Sequence, residues 1–135
     1  MTHQTVIPAF RATGAQALID WLRDTIGLTE HMVVPDGEGG IAHAQLEWRG
    51  SLVMLGSTRG DADFLDETVG KASINLTAES NEQVDDLYRK VQEAGATISV
   101  PMEDTDYGSH SFSFRDPEGN FWHVGTYDPL APEPE

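Results

Sequence analysis

His43, Gln45 and Glu47 occupy every second position of one apolar-rich segment, Ser111 and Ser113 alternate in the same way in another, and His123 stands in the segment that follows. Spacing by two puts such residues on one face of a strand. Imidazole, amide, carboxylate and hydroxyl groups then converge on a surface. An imidazole titrates near neutral pH, so His43 and His123 can act as general acid or base. The simpler role, a hydrogen-bonding group in a pocket wall, needs the same placement and is preferred here. Arg11 is read as facing the same surface, where it pairs with a ligand carboxylate, with Glu47 or with another acidic residue. Tyr107 falls in a loop at the mouth of that surface, as a lid or as a plain turn. His3, His31 and His110 have no supporting pattern. With no cysteine, the chain has no thiolate nucleophile, thiolate metal site or disulfide.

The elements that must position these groups are legible. Residues 5–11 read as a strand. Thr13 and Gln16 then form a capping box before a helix whose apolar positions are Ala15, Leu18, Ile19, Leu22 and Ile26, stopped by Gly27. Strands follow at 29–35, 41–48 and 51–55, the last two joined by the tight turn Arg49-Gly50. Residues 56–70 lack periodicity and read as an acidic connection that includes Asp61, Asp63, Asp66 and Glu67. The pattern then restarts: a strand at 72–77, a second capping box at Ser80 and Gln83, and a helix with Val84, Leu87, Tyr88, Val91 and Ala94 ending at Gly95. Strands at 98–102, 108–115 and 121–126 complete it, the last two joined by Asp116-Pro117-Glu118-Gly119-Asn120. The matched order of cap, helix, glycine stop and terminal hairpin indicates an internal duplication.

Pairing about Arg49-Gly50 sets Leu46 opposite Val53 and Gln45 opposite Met54. Ala44, Leu46, Trp48, Val53 and Leu55 then suit packing under a helix, while His43, Gln45, Glu47, Leu52 and Met54 face the other way. In the second half Phe112, Phe114, Trp122 and Val124 form the helix face, and Ser111, Ser113, Phe121 and His123 the other, with Ser73, Asn75 and Thr77 beside them. The expectation is an α+β fold of two βαβββ modules whose curled, antiparallel-rich sheets surround one small-molecule cavity. Module 1 spans about 5–56, a linker 57–71, module 2 about 72–127, and 128–135 is a mobile tail.

The chain has 135 residues and a formal net charge of -15, from 23 acidic against 8 basic side chains. That length suits a single domain. A polyanion such as nucleic acid would be repelled. The acidity reads as a solubility device or as attraction for a cationic ligand. No segment approaches the ~20 apolar residues needed to span a bilayer, and the N-terminus has no export-signal pattern, so a cytoplasmic location is expected.

The repeated order of elements, the segment 103–109 and the closing Arg115-Asp116-Pro117-Glu118-Gly119-Asn120-Phe121-Trp122 resemble the vicinal oxygen chelate superfamily. That superfamily includes glyoxalase I, bleomycin- and fosfomycin-resistance proteins and extradiol dioxygenases. The resemblance covers residues 5–127 and implies a shared fold rather than a shared reaction. It further implies a homodimer, and, in metal-using members, His, Glu or Gln donors on the first and last strands of each module. The corresponding positions here are Ile7, Met54, Ser73 and His123. A register shift to Pro8, Val53, Ile74 and Trp122 supplies no better donors, so neither metal nor cofactor is expected. A separate site from His43, Glu47 and His123 is the alternative. The resulting expectation is a metal-free binding protein of the bleomycin-resistance type whose ligand contacts come from Arg11, His43, Gln45, Glu47, Met54, Asn75, Tyr107, Ser111, Ser113, Phe121 and His123. The alternative is a glyoxalase-like lyase or isomerase, or a dioxygenase, using a metal or His123.

Overall fold

A computed structural model describes residues 4–60 and 64–131. His3, Asp61, Asp63 and the end of the expected tail, 132–135, lie outside the described residues. In the first module, strand β1 (Ala9–Ala12) leads into helix α1 (Ala15–Trp21), which continues as a π-helical turn, Leu22–Ile26. Strands β2 (Thr29–Pro35), β3 (Ile41–Trp48) and β4 (Ser51–Ser57) follow. The π turn lets the N–H groups of Gly27 and Leu28 share the Leu22 carbonyl at 3.0 and 3.1 Å. Gly27 ends the helix at φ 92°, where a Cβ would be strained.

The second module repeats the order: β5 (Ser73–Thr77), α2 (Asn81–Glu93), β6 (Thr97–Asp104), β7 (His110–Arg115) and β8 (Phe121–Gly125). The two sheets run β1-β4-β3-β2 and β5-β8-β7-β6, each with its first strand parallel to its last. Both terminal hairpins pair in the expected register, Leu46 with Val53 and Gln45 with Met54, Phe114 with Trp122 and Ser113 with His123. Matching the hairpins makes Met54 the counterpart of His123, Gln45 of Ser113, His43 of Ser111 and Gly56 of Gly125.

Apolar stripes of both helices pack into one core with Ala44, Leu46, Phe112, Phe114, Trp122 and Val124, all 0 % exposed. The π turn packs on α2, and Trp21 reaches Phe114 of the other sheet with ring centroids 5.8 Å apart. The helix-bearing faces are thereby joined. The sheets are not closed into one barrel; one hollow lies on the first sheet, one on the second, and a third is lined by residues of both, among them Trp48, Leu52, Ile74 and Thr77.

Four local expectations are corrected. The first strand begins at Ala9 because the ring of Pro8 removes a donor; only its carbonyl pairs, with the Met54 N–H at 2.9 Å. Upstream, the Gln4 amide takes the place of backbone, donating to Leu52 O at 2.9 Å and accepting from Leu52 N at 2.6 Å. The Thr13 capping box does not form. Instead the Glu118 carboxylate, from the β7–β8 turn, accepts from the backbone N–H groups of Thr13 at 2.6 Å and Gly14 at 3.1 Å. A charged acceptor at a helix N-terminus outcompetes a neutral hydroxyl, and Gln16 turns to Asp20. In module 2, Ser80 does cap, accepting from Gln83 N at 3.1 Å, while Gln83 accepts from Glu79 N rather than closing the box on Ser80. The linker, read as irregular, holds a 3-10 helix at Phe64–Thr68.

Candidate functional site

The first sheet's hollow, about 310 Å³, has an apolar part that includes Met54 and Leu65 and a polar side formed by Arg11, His43 and Arg59. Arg11 donates to Asp66 at 2.8 Å. That guanidinium, with the backbone N–H groups of Gly60 and Arg59, holds the Asp66 carboxyl below the usual carboxylate range. Asp66 therefore ties the linker to β1 and fixes the backbone that presents Arg59. Along the sheet, Gln45 bridges two imidazoles. Its amide nitrogen lies 3.0 Å from His43 Nε2 and its oxygen 2.8 Å from His31 Nδ1. With the amide donating to Nε2, the tautomer that fits carries its proton on Nδ1.

The second hollow, about 530 Å³, is lined by Asn75, Tyr107, Ser109, Phe121, His123 and Tyr127 among others. Tyr107 and Tyr127 meet edge to face at 5.3 Å between centroids, both largely exposed. The Arg115 guanidinium lies 5.1 Å from the Phe121 ring centroid. His123 Nδ1 is 2.9 Å from Ser113 Oγ, a hydrogen bond that orients the ring across the β7–β8 pair. Burial lowers the His123 pKa, partly offset by the Glu103 carboxylate. The ring is neutral at pH 7.

The sequence-derived candidates thus separate into two groups. Arg11, His43 and Met54 line one hollow, and Asn75, Tyr107, Phe121 and His123 the other. Gln45 is half-buried and engaged with two histidines, and Glu47 is half-buried on the same strand. Ser111 and Ser113 are buried. Among the described residues Ser111 Oγ is the buried side-chain polar atom without a partner. Beside it, a Cβ on Gly125 would come within 2.7 Å of Ser109 Oγ and 2.9 Å of Ser111 Cβ, which is why β8 carries glycine there.

Sequence reasoning missed Arg59, Leu65 and Tyr127. Two lie in the aperiodic linker and the third after the last strand, where neither alternation nor helical period assigns a direction. His110, also without a pattern, sits between Asp104 at 2.8 Å and Asp85 at 2.7 Å. These carboxylates raise its pKa and join α2 to the second sheet.

The superfamily's metal-using members require a donor set that these residues do not supply. Ile7 has no donor atom, Met54 offers a soft thioether and Ser73 a neutral hydroxyl, leaving His123 alone. The alternative grouping does not assemble, because His43 and His123 line different hollows. Among the described residues no three His, Asp or Glu side chains gather as a metal site.

These features define a class. The chain belongs to the glyoxalase/bleomycin resistance protein/dioxygenase superfamily, whose sequence model matches residues 5–124. Solved structures share the fold. TioX from Micromonospora sp. ML1 superposes with a TM-score of 0.70 at 24 % identity, covering 91 % of this chain and 98 % of that one. A lactoylglutathione lyase from Agrobacterium tumefaciens gives 0.68 at 21 % identity, covering 92 % and 95 %. The fosfomycin resistance protein FosX from Mesorhizobium loti gives 0.67 at 11 % identity, covering 96 % and 95 %. No curated protein matches the chain in sequence.

Proposed function

We propose that this chain is a small-molecule-binding member of its superfamily that works without a catalytic metal, in the manner of bleomycin-resistance-type sequestering proteins. The observation that carries this reading is the replacement of the metal-donor positions by Ile7, Met54, Ser73 and His123 beside hollows with apolar and aromatic walls. The expected partner is a second copy, in the cytoplasm. Support for a homodimer comes from large side chains left open on the outward faces, Met32 at 46 %, Val34 at 42 %, Tyr107 at 61 % and Tyr127 at 53 % exposure. A second sheet laid over each hollow would cover them. The tyrosine pair, Phe121 and the nearby Glu103 suit an aromatic or cationic ligand on the second sheet. The test is thermal shift of the full chain against cationic glycopeptide and aromatic antibiotics. Stabilisation by at least one is expected, and none by any would sink the reading. Metal analysis of protein purified without chelator should give less than stoichiometric Fe, Zn, Ni or Mn.

A second reading, a glyoxalase-like lyase or isomerase, is favoured by one observation. His123 is neutral, oriented by Ser113 and placed at a hollow, as a general base must be. Loss of turnover in His123→Ala, with ligand affinity retained, would establish it.

A further inference from the structure

We propose that the hollow on the first sheet recognises the acidic end of a small apolar molecule, a carboxylate held by Arg59 and His43. The inference rests on the reading above that the outward sheet faces bind small molecules, and goes beyond it by fixing the sign of the ligand's charge at one of them.

The chain as a whole opposes this sign, with 23 acidic side chains against 8 basic. The hollow reverses it: two of those 8 basic residues, Arg11 and Arg59, line it together with His43, and among the described residues no carboxylate is in its lining. The two guanidiniums differ in role. Arg11, whose side chain is 11 % exposed, is committed to Asp66 at 2.8 Å. It is a positioning residue, because Asp66 in turn accepts the backbone N–H of Arg59 at 3.1 Å and of Gly60 at 2.7 Å. This arrangement sets Arg59 at the rim, where its Nη2 makes one long hydrogen bond, 3.4 Å, to the carbonyl of Ala42. Among the described residues no carboxylate is within ion-pairing distance of the Arg59 guanidinium.

His43 follows Ala42 on β3 and supplies the second donor. Gln45 occupies its Nε2 at 3.0 Å, which leaves the Nδ1 proton for a ligand. A guanidinium and an N–H donor beside Met54 and Leu65 fit an oxyanion attached to an apolar body. A cation there would meet Arg59 with like charge. At about 310 Å³ the hollow sits at the small end of ligand pockets, suited to a bicyclic acid rather than an extended one.

The experiment titrates the full chain with three probes of one shape, naphthalen-1-ylacetate, its neutral amide and the cationic naphthalen-1-ylmethylamine, at low and moderate salt. Binding is followed by calorimetry and by the NMR signals of the methionine methyls. The acid is expected to bind at least about tenfold more tightly than the amide, with the difference shrinking as salt rises. It should shift the Met54 methyl and leave that of Met102, on the second sheet, in place. Arg59→Gln should bring the acid down to the affinity of the amide without changing the amide's own. The proposal is overturned if the amide or the amine binds as tightly as the acid, if Arg59→Gln keeps the preference, or if Met102 rather than Met54 responds. Absence of binding by all three probes overturns the proposal for this hollow, whereas the broader reading, which also rests on the second hollow, falls only with the thermal-shift test.

Discussion

The two modules share strand order, hairpin register and a glycine at matched positions, Gly56 and Gly125, yet they fill the outward face differently. On the first sheet, long polar side chains stand there: His43 and Gln45, linked to each other and to His31. Their counterparts are Ser111 and Ser113, small and buried, with the imidazole moved across the hairpin to His123, the counterpart of Met54. One sheet therefore offers a donor set near the rim with a cation beside it. The other offers a half-buried neutral ring in a hollow with aromatic walls. The modules share a backbone solution, which depends on main-chain hydrogen bonds and core volume. Their outward faces differ.

The helix starts diverge as well. Helix α2 is capped by its own Ser80, whereas α1 is capped by Glu118 from the far end of the chain. Glu118 is placed by Asp116, a buried carboxylate that accepts from Glu118 N at 2.9 Å, Asn120 N at 3.0 Å, Asn120 Nδ2 at 2.9 Å and Trp122 Nε1 at 2.8 Å. Module 2 thus completes module 1.

The largest break in this comparison should come from Asp116→Ala. It strands the Trp122 and Asn120 donors in the interior and loosens Glu118, so chemical denaturation should show a loss of about 3 kcal/mol or more. Next is Gly125→Ala. The new methyl would overlap Ser109 and Ser111, at a cost of roughly 1–3 kcal/mol. Gly56→Ala should be comparable, since its Cβ would lie 3.0 Å from the Ala42 carbonyl oxygen. A large difference between the two would show that the modules tolerate crowding unequally.

The caps give a smaller and more diagnostic contrast. Ser80→Ala and Glu118→Ala should each cost about 1 kcal/mol, whereas Thr13→Ala should be near neutral, because its hydroxyl caps nothing. Equal losses for Thr13→Ala and Ser80→Ala would restore the local capping box that the sequence suggests.

The smallest effects concern two histidines of module 2 with opposite shifts. His110, raised by Asp85 and Asp104, contributes stability that is fully present below its unfolded pKa of about 6.5 and is lost as pH rises through its higher folded value. His123, lowered by burial, behaves in reverse: stability is full above about 6.5 and falls as pH drops toward its folded value. Because both carboxylates beside His110 are exposed, its contribution should be about 0.5–1 kcal/mol. Urea unfolding across pH 5–8 should show His110→Gln flattening the alkaline limb and His123→Gln the acid limb. The same slope change in both variants would contradict the assignment.

Strand alternation in 41–55 and 111–125 settled, from sequence alone, which residues face the helices and which face outward, and a two-residue turn at Arg49-Gly50 leaves only one register. The repeated order of elements followed from the same pattern of caps, helices and hairpins. What alternation cannot supply is contact between elements distant in sequence. Arg59 reaches its rim through Asp66 and β1, Glu118 crosses 105 residues to Thr13, and His110 finds one of its two carboxylates on α2. The sheets stay open rather than closing into a barrel, and packing of the π turn on α2 and of Trp21 on Phe114 joins the helix-bearing faces. A strand's period fixes the face of each side chain. Only the packing of one sheet's helix against the other fixes what that face meets.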